Sequence, residues 1–242
     1  DLQVEGVTSA EFKYQRHRWQ WMEPQAKTYR VTKNEEYIKN WIETYQSWMA
    51  AYPCPNAKFD DNETDKNSNY QWKGLQTAER LLSQLNVMQY YLQSTNFTPE
   101  WLSTFLISIA DHVEMIRKNY YQTPGDNIRL SQIQAVFTAG VLMPEFKNAA
   151  EWTNEASTIL DTEIGSQFLE DGVHADLDPS YHIGSVSNCL SLYYLWSLND
   201  KTDLLPASFV SKLKNATHFL KDIIYPNYTI DNYNDTRSDR LG

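Results

Sequence analysis

The sequence predicts an all-α fold, an incomplete α/α toroid built of helical hairpins. Apolar residues recur with the period of a helix through most of the chain, and no sustained strand alternation precedes the tail. The predicted helices pair into hairpins whose first helices begin near residues 17, 72, 127 and 181, a nearly constant spacing of about 55 residues. Such a spacing indicates stacked hairpins, and a flat superhelix of hairpins is the competing arrangement.

The apolar pattern locates each helix. Leu75, Ala78, Leu82 and Leu85, for example, fall on one face of the third predicted helix. The predicted helices span residues 17–31, 34–52, 72–93, 99–120, 127–142, 146–170, 180–199 and 206–224. The polar segment 55–71 is rich in Asn and Asp, which predicts a surface loop.

Helix starts are marked by capping residues followed by proline. Thr98-Pro99-Glu100 combines an N-cap, a proline at the first helical position and an acid in the first turn. Asp178-Pro179-Ser180 repeats the cap and the proline, and Asn34 and Gly125-Asp126 are weaker starts of the same kind. These signals fix the beginnings of the helices more sharply than their ends.

Composition excludes several classes of protein. The chain of 242 residues has 41% hydrophobic residues, enough for a large core, and a formal charge of −10, which argues against a nucleic-acid partner. No segment is long and apolar enough to predict a membrane span. Two cysteines are too few for a disulfide framework, and no metal, phosphate-loop or nucleotide motif is present, so no cofactor is expected.

The first helices of the hairpins are predicted to present their N-termini on one rim, because helices separated by one antiparallel helix point the same way. Cations, aromatic rings and neutral polar groups occur at these starts, and helix N-termini favour anions. Each charged residue taken singly is better explained as a solvated helix end, but together they predict a cleft for an acidic sugar chain. The substrate-binding candidates are Arg16, Arg18, Trp72, Arg80, Arg129 and Gln132.

Three segments resemble the N-terminal domain of the heparinase II/III family of polysaccharide lyases. They are the run Arg16-His17-Arg18-Trp19-Gln20-Trp21 followed by Pro24-Gln25-Ala26-Lys27, the segment from Asn127 to Gly140 leading into Pro144-Glu145-Phe146, and Asp176-Leu177-Asp178-Pro179-Ser180-Tyr181-His182. The resemblance covers almost the whole chain, and the last motif is its most specific part. It implies an α/α toroid followed by a β-sandwich domain, and cleavage of uronic-acid-containing polysaccharides by β-elimination.

The resemblance also implies roles for individual residues. Tyr181 matches the catalytic tyrosine, expected to act as base and acid, and Asn127 matches the asparagine that bonds the substrate carboxylate. His182 is expected to contact substrate or to orient Tyr181. We expect the first turn of a helix, together with His182 and Arg129, to lower the pKa of the Tyr181 phenol.

The resemblance divides the chain into a sugar-binding domain, 1–224, and a linker, 225–242, leading to a missing C-terminal β-sandwich domain. The family's additional catalytic histidine comes from that domain, so the chain alone is predicted to have very weak lyase activity or none. The expected partners are an acidic polysaccharide and the β-sandwich domain. The chain begins at Asp1 rather than methionine, which fits either a processed secretory protein or a trimmed chain. The expected location is the periplasm or outside the cell.

Two other functions remain open from the sequence. An α/α-toroid glycoside hydrolase acting on uronyl sugars needs two carboxylates, and Asp176, Asp178, Glu170 and Asp171 are available, although Asp178 is better explained as an N-cap. The second is a helical scaffold that binds a peptide or carbohydrate without turnover. Uniform repeat units would favour this function. The repeats here are not alike.

Overall fold

The fold is all-α, as predicted. The computed structural model describes residues 10–55, 70–120, 126–231, 234 and 236. Within these residues the helices are α1 (Ala10–Arg18), α2 (Glu23–Thr32), α3 (Glu36–Ala51), α4 (Gly74–Tyr91), α5 (Pro99–Lys118), α6 (Asn127–Leu142), α7 (Ala149–Gln167), α8 (Pro179–Leu198) and α9 (Phe209–Ile223). The described part of the chain has no strand beyond an isolated bridge between Phe168 and His174. Most of the predicted loop 55–71 lies outside the described residues.

The prediction of one continuous helix over 17–31 is wrong. Helix α1 ends at Arg18, Trp19 adopts a left-handed backbone (φ 65°), and a short 3-10 helix, Gln20–Met22, leads into α2. The Trp19 carbonyl accepts a hydrogen bond from Ser83 Oγ at 3.1 Å, which helps to hold this turn. Pro24 cannot lie in a helix interior and occupies the first turn of α2, so the run carries a local signal for a new helix that the prediction overlooks.

The predicted capping residues are confirmed. Thr98 Oγ1 accepts from the Trp101 N–H at 3.2 Å, and Pro99 occupies the first turn of α5. Asp126 and Asp178 cap α6 and α8 in the same manner. Each cap satisfies one backbone donor that the helix cannot pair itself, a contribution of about 1 kcal/mol.

The chain divides into two compact units, residues 1–120 and 121–242. The core of the first unit is aromatic. The Trp41 ring contacts Trp101 edge-on with centroids 5.1 Å apart, and Tyr45 packs against Phe105 at 5.6 Å. These rings pack α3 against α5, and their burial contributes to the stability of this unit.

The second unit is built on the close packing of α6 against α7. A Cβ added at Gly140 would lie 2.8 Å from the Ala149 carbonyl oxygen, so only glycine permits this approach of the two helices. On α6, Phe137 also packs against Trp196 of α8, with ring centroids 4.4 Å apart. Helix α6 therefore packs against both α7 and α8.

Two exclusions made from the sequence can be compared with the structure. None of the helices in the described residues has the length and apolar character needed to cross a membrane. Cys54 and Cys189 are both free thiols, and Cys189 is buried.

Candidate functional site

The start of α8 presents Tyr181. Asp178 is buried and its Oδ1 accepts from the Tyr181 N–H at 3.0 Å, which fixes the first turn of the helix. Thr236 Oγ1 donates to the same Oδ1 at 2.8 Å, while Oδ2 is buried without a hydrogen-bond partner. The Tyr181 side chain is 39% exposed, in contrast to the buried cap beneath it. A phenol at the positive end of a helix is thereby held at the surface.

The start of α6 presents Asn127. The N-cap is Asp126, whose Oδ1 accepts from the Ile128 N–H at 2.7 Å. Asn127 is the first helical residue and is half-buried. Because Asp126 already caps the helix, the amide of Asn127 is not needed for capping.

Gln167, at the end of α7, ties the start of α6 to the loop before α8. Its Nε2 donates to the Asp126 carbonyl at 2.9 Å and to Glu163 Oε1 at 2.8 Å. Its Oε1 accepts from His174 Nε2 at 2.6 Å. Gln167 is fully buried, so these bonds are shielded from water and hold their partners firmly.

His174 continues this connection to α8. Its backbone N–H donates to His182 Nδ1 at 3.2 Å, and its Nε2 lies 2.9 Å from Ser185 Oγ. The Asp176 N–H donates to His174 Nδ1 at 3.2 Å, so the ring proton lies on Nε2. The structure therefore brings together the helix starts that carry Asn127 and Tyr181 through a buried chain of hydrogen bonds.

His182 is buried and both of its ring nitrogens are engaged by backbone. Nδ1 accepts from the His174 N–H, and Nε2 donates to the Ala216 carbonyl at 3.0 Å. Burial lowers the pKa of His182, which is consistent with the neutral ring that this pattern requires. These contacts favour the orienting role over substrate contact, and the expected positive charge of His182 beside Tyr181 is absent.

The side chains around the starts of α6 and α8 do not form the basic cleft that the sequence predicts. Arg129 pairs with the buried Glu163, with Nε and Oε2 3.2 Å apart, which offsets its charge. Burial raises the pKa of Asp176, and the nearby carboxylates of Asp126 and Asp178 raise it further. Gln132, another candidate, is buried. The described residues contain no group of His, Cys, Asp or Glu side chains placed to hold a metal ion.

Burial of the histidines predicts an acid-sensitive fold. Desolvation lowers the pKa of His17 and of His174 from 6.5 to about 4, and that of His112 well below 6.5. The unfolded chain takes up these protons near pH 6.5, whereas the folded chain takes them up only near pH 4. The free energy of unfolding is therefore highest above pH 6.5 and falls as the pH drops towards 4. We expect the melting temperature to fall by more than about 10 °C between pH 7 and pH 5.

Thermal unfolding of the wild type and of His174→Gln and His218→Gln measures this effect. The exposed His218 is the matched control, and its replacement should leave the pH dependence unchanged. Removing the His174 titration should make the dependence shallower. Equal melting temperatures at both pH values, or an unaltered slope in His174→Gln, would contradict the account.

In the first unit, three predicted substrate-binding residues are buried instead. Arg18 is 8% exposed and pairs with Glu11, with Nη1 and Oε1 2.9 Å apart. Trp72 is 3% exposed and its Nε1 donates to the Tyr52 carbonyl at 3.1 Å. Arg80 is completely buried. Direct contact with a polysaccharide is therefore not available to Arg80 or Trp72 in this structure.

Arg80 joins the two predicted starts of the first unit. Its Nη1 donates to the carbonyls of His17 and Gln71, both at 2.9 Å, and its Nε donates to His112 Nε2 at 2.8 Å. No carboxylate among the described residues pairs with it, and burial lowers its pKa to about 9. Its role is to tie α1 to the 3-10 helix Tyr70–Trp72.

Aromatic rings replace a counter-ion around Arg80. The guanidinium carbon lies 4.2 Å from the Trp48 ring centroid and 5.0 Å from that of Trp72. Cation–π contacts of this kind gain strength when they are shielded from water. Arg16, unlike Arg80, is partly exposed and contributes to the lining of an open groove.

Sequence reasoning missed Gln167 and His174. Neither belongs to a motif, and a buried histidine with neutral partners has no distinctive spacing in the chain. In the second unit, Gln167 and His174 join the two predicted helix starts. In the first unit the predicted start near residue 17 is wrong, because Arg16, His17 and Arg18 lie in the last turn of α1.

Comparisons with known proteins agree with the resemblance. Residues 1–241 match the family described as Heparinase II/III N-terminus. The heparin-sulfate lyase of Bacteroides thetaiotaomicron is 40% identical over 222 residues, which cover 92% of this chain and 30% of that protein. The heparin-sulfate lyase of Pedobacter heparinus is 27% identical over 230 residues, covering 95% and 34% of the two chains.

Solved structures support the fold. A crystal structure of heparinase III superposes with a TM-score of 0.80 at 39% identity, covering 88% of this chain and 31% of that one. The heparan sulfate lyase of Pedobacter heparinus gives a TM-score of 0.76 at 27% identity, covering 94% and 34%. These matches confirm the predicted fold class. The chain spans about a third of the length of its relatives.

Proposed function

Because the chain belongs to the heparinase II/III family, we propose that it forms the N-terminal part of a lyase that cleaves a heparan-sulfate-like polysaccharide by β-elimination. The proposal is supported by the positions of Asn127 and Tyr181 in the first turns of α6 and α8. Both side chains are at least partly exposed, and buried hydrogen bonds through Gln167 and His174 link the two turns. In this proposal, Tyr181 is the base and Asn127 is the hydrogen-bond donor.

Elimination at a uronate requires three events. The C5 proton is removed, the electrons of the C5–H bond form the C4–C5 double bond, and the C4–O4 bond breaks as O4 takes a proton. In our proposal the Tyr181 phenolate removes the C5 proton, and the resulting phenol protonates O4. Atoms and charge balance without an oxidant or a further reactant.

The carboxylate of the uronate gains negative charge as C5 loses its proton. The Asn127 amide donates a hydrogen bond to this carboxylate, which stabilises the charge where it develops. The positive ends of α6 and α8 add to the same field, since both side chains belong to first turns. His182 and His174 act behind Tyr181 as positioning residues.

The remaining parts of the enzyme belong to the same proposal. The C-terminal β-sandwich domain completes the site with a further histidine, and the whole protein works in the periplasm or outside the cell. Hydrolysis is disfavoured as an alternative, because Asp178 is buried and caps α8, so its carboxylate is not exposed to attack a sugar.

The test is the chemistry of the product. We expect the full-length protein, incubated with heparan sulfate, to release fragments that carry a C4–C5 double bond and absorb ultraviolet light. Each new reducing end should be matched by one such double bond. New reducing ends without ultraviolet absorbance would demonstrate hydrolysis, and no new ends at all would favour a binding scaffold.

A further inference from the structure

An open groove in the first unit has the properties of a sugar subsite. It lies between the end of α1 with the following 3-10 helix and the face of α3, and its volume is about 620 Å³. Pockets for small ligands fall in the same range. The lining includes Arg16, Trp21, Glu43, Ser47, Trp48 and Tyr52.

Trp21 is the exposed aromatic wall of this groove. Its side chain is 48% exposed, although an indole gains free energy by burial. Its Nε1 donates to the Arg16 carbonyl at 3.3 Å, so the ring is held beside the arginine. A flat, partly wet ring fixed in this way suits stacking against the apolar face of a pyranose.

Trp48 supplies a second aromatic surface. Its Nε1 donates to His17 Nδ1 at 3.0 Å, so its polar atom is already satisfied inside the protein. The side chain retains only 5% exposure, and Arg80 lies on its ring. What Trp48 adds to the groove is therefore ring carbon on a rigid support.

The turn that shapes the groove is strained. Trp19 has φ 65°, a conformation that a bulky residue rarely adopts and that costs about 1–3 kcal/mol. Its ring is fully buried and packs against Tyr45 and Trp48, with centroids 4.9 and 5.1 Å apart. The packing maintains the break between α1 and α2, and the break brings Trp21 beside Arg16.

The polar groups match the outline of an acidic sugar. Arg16 provides a fixed positive charge, Ser47 and Thr44 provide hydroxyls, and Glu43 provides an acceptor for sugar hydroxyls. A sugar ring of the proposed substrate has an apolar face, hydroxyls and an oxyanion. The groove therefore offers an aromatic ring to the apolar face, hydroxyls and a carboxylate to the sugar hydroxyls, and an arginine to the oxyanion.

We infer that this groove binds one ring of the acidic polysaccharide, with Trp21 stacked on the ring and Arg16 paired with its carboxylate or sulfate. The identity of the ligand rests on the proposed function, but binding at the groove does not require turnover. It makes the first unit a binding element for the substrate chain.

Titration calorimetry with a heparan sulfate hexasaccharide tests the inference. The full-length protein carries Tyr181→Phe, so that binding is measured without cleavage. We expect Trp21→Ala to weaken binding about tenfold and Trp21→Phe to restore most of it. Arg16→Gln should weaken binding and reduce its dependence on salt.

Matched controls are available on exposed positions that do not line the groove. Tyr194→Ala removes another exposed ring, and Arg30→Gln removes another exposed cation; both should bind as the parent does. Circular dichroism verifies folding of each variant. Unchanged affinity in Trp21→Ala overturns the inference. If the wild type shows no elimination but Trp21→Ala still loses affinity, the inference about binding at the groove stands and only the proposed function is refuted.

Discussion

Replacing Tyr181 by Phe in the full-length protein should lower kcat for elimination by at least about a thousandfold. The substitution removes one oxygen, the atom that takes the C5 proton and returns a proton to O4 in the proposed reaction. KM should change little, because the ring and the helix start remain. The rate of ultraviolet absorbance increase on heparan sulfate measures the effect.

The structure makes this variant a clean test. The N-cap bond of α8 uses the Tyr181 backbone N–H, not its phenol, so Phe leaves the cap intact. Tyr194→Phe, on the same helix and 60% exposed, is the matched control and should retain full activity. Elimination by Tyr181→Phe within about tenfold of the wild-type rate would be incompatible with the assignment.

Replacing Asn127 by Ala should lower kcat by about 100- to 1000-fold, the usual effect of removing one donor that stabilises developing negative charge. Asn127→Asp should be at least as damaging, because a carboxylate repels the uronate that the amide attracts. Stability should be nearly unchanged, since Asp126 caps α6. Thermal unfolding and elimination rates of the same samples separate the two effects.

Asn154→Ala is the control for this substitution. Asn154 is an exposed asparagine on α7, and its loss should alter neither rate nor stability. A purely structural role for Asn127 predicts the opposite pattern, with a lower melting temperature and nearly normal kcat. That result would remove Asn127 from the proposed site.

The helices could be predicted because their signals are local. The period of apolar residues and the caps at Thr98, Asp126 and Asp178 depend on neighbours within a few positions, and each appears in the structure where it was expected. Pro24 is a local signal that α2 begins there, but the turn at Trp19 could not be predicted in this way. Its left-handed backbone is held by packing against residues of α3 and α4 that are far away in sequence.

The candidate site was predicted less completely for a related reason. Tyr181 and Asn127 belong to recognisable segments, but the burial of a residue depends on its neighbours in space. The prediction that Arg80 binds substrate rests on its position in the chain, and nothing local shows that this arginine is buried without an acid. Its aromatic surroundings come from Trp48 and Trp72, on different elements. The bonds of Gln167 and His174 likewise exist only once α7 and α8 are packed.

The most direct measurement is a crystal structure of full-length Tyr181→Phe with a bound heparan sulfate oligosaccharide. The account predicts one uronate whose carboxylate accepts a hydrogen bond from the Asn127 amide, while its C5 faces the ring at position 181. A uronate that contacts only one of these two positions, or an oligosaccharide bound away from the starts of α6 and α8, would contradict it.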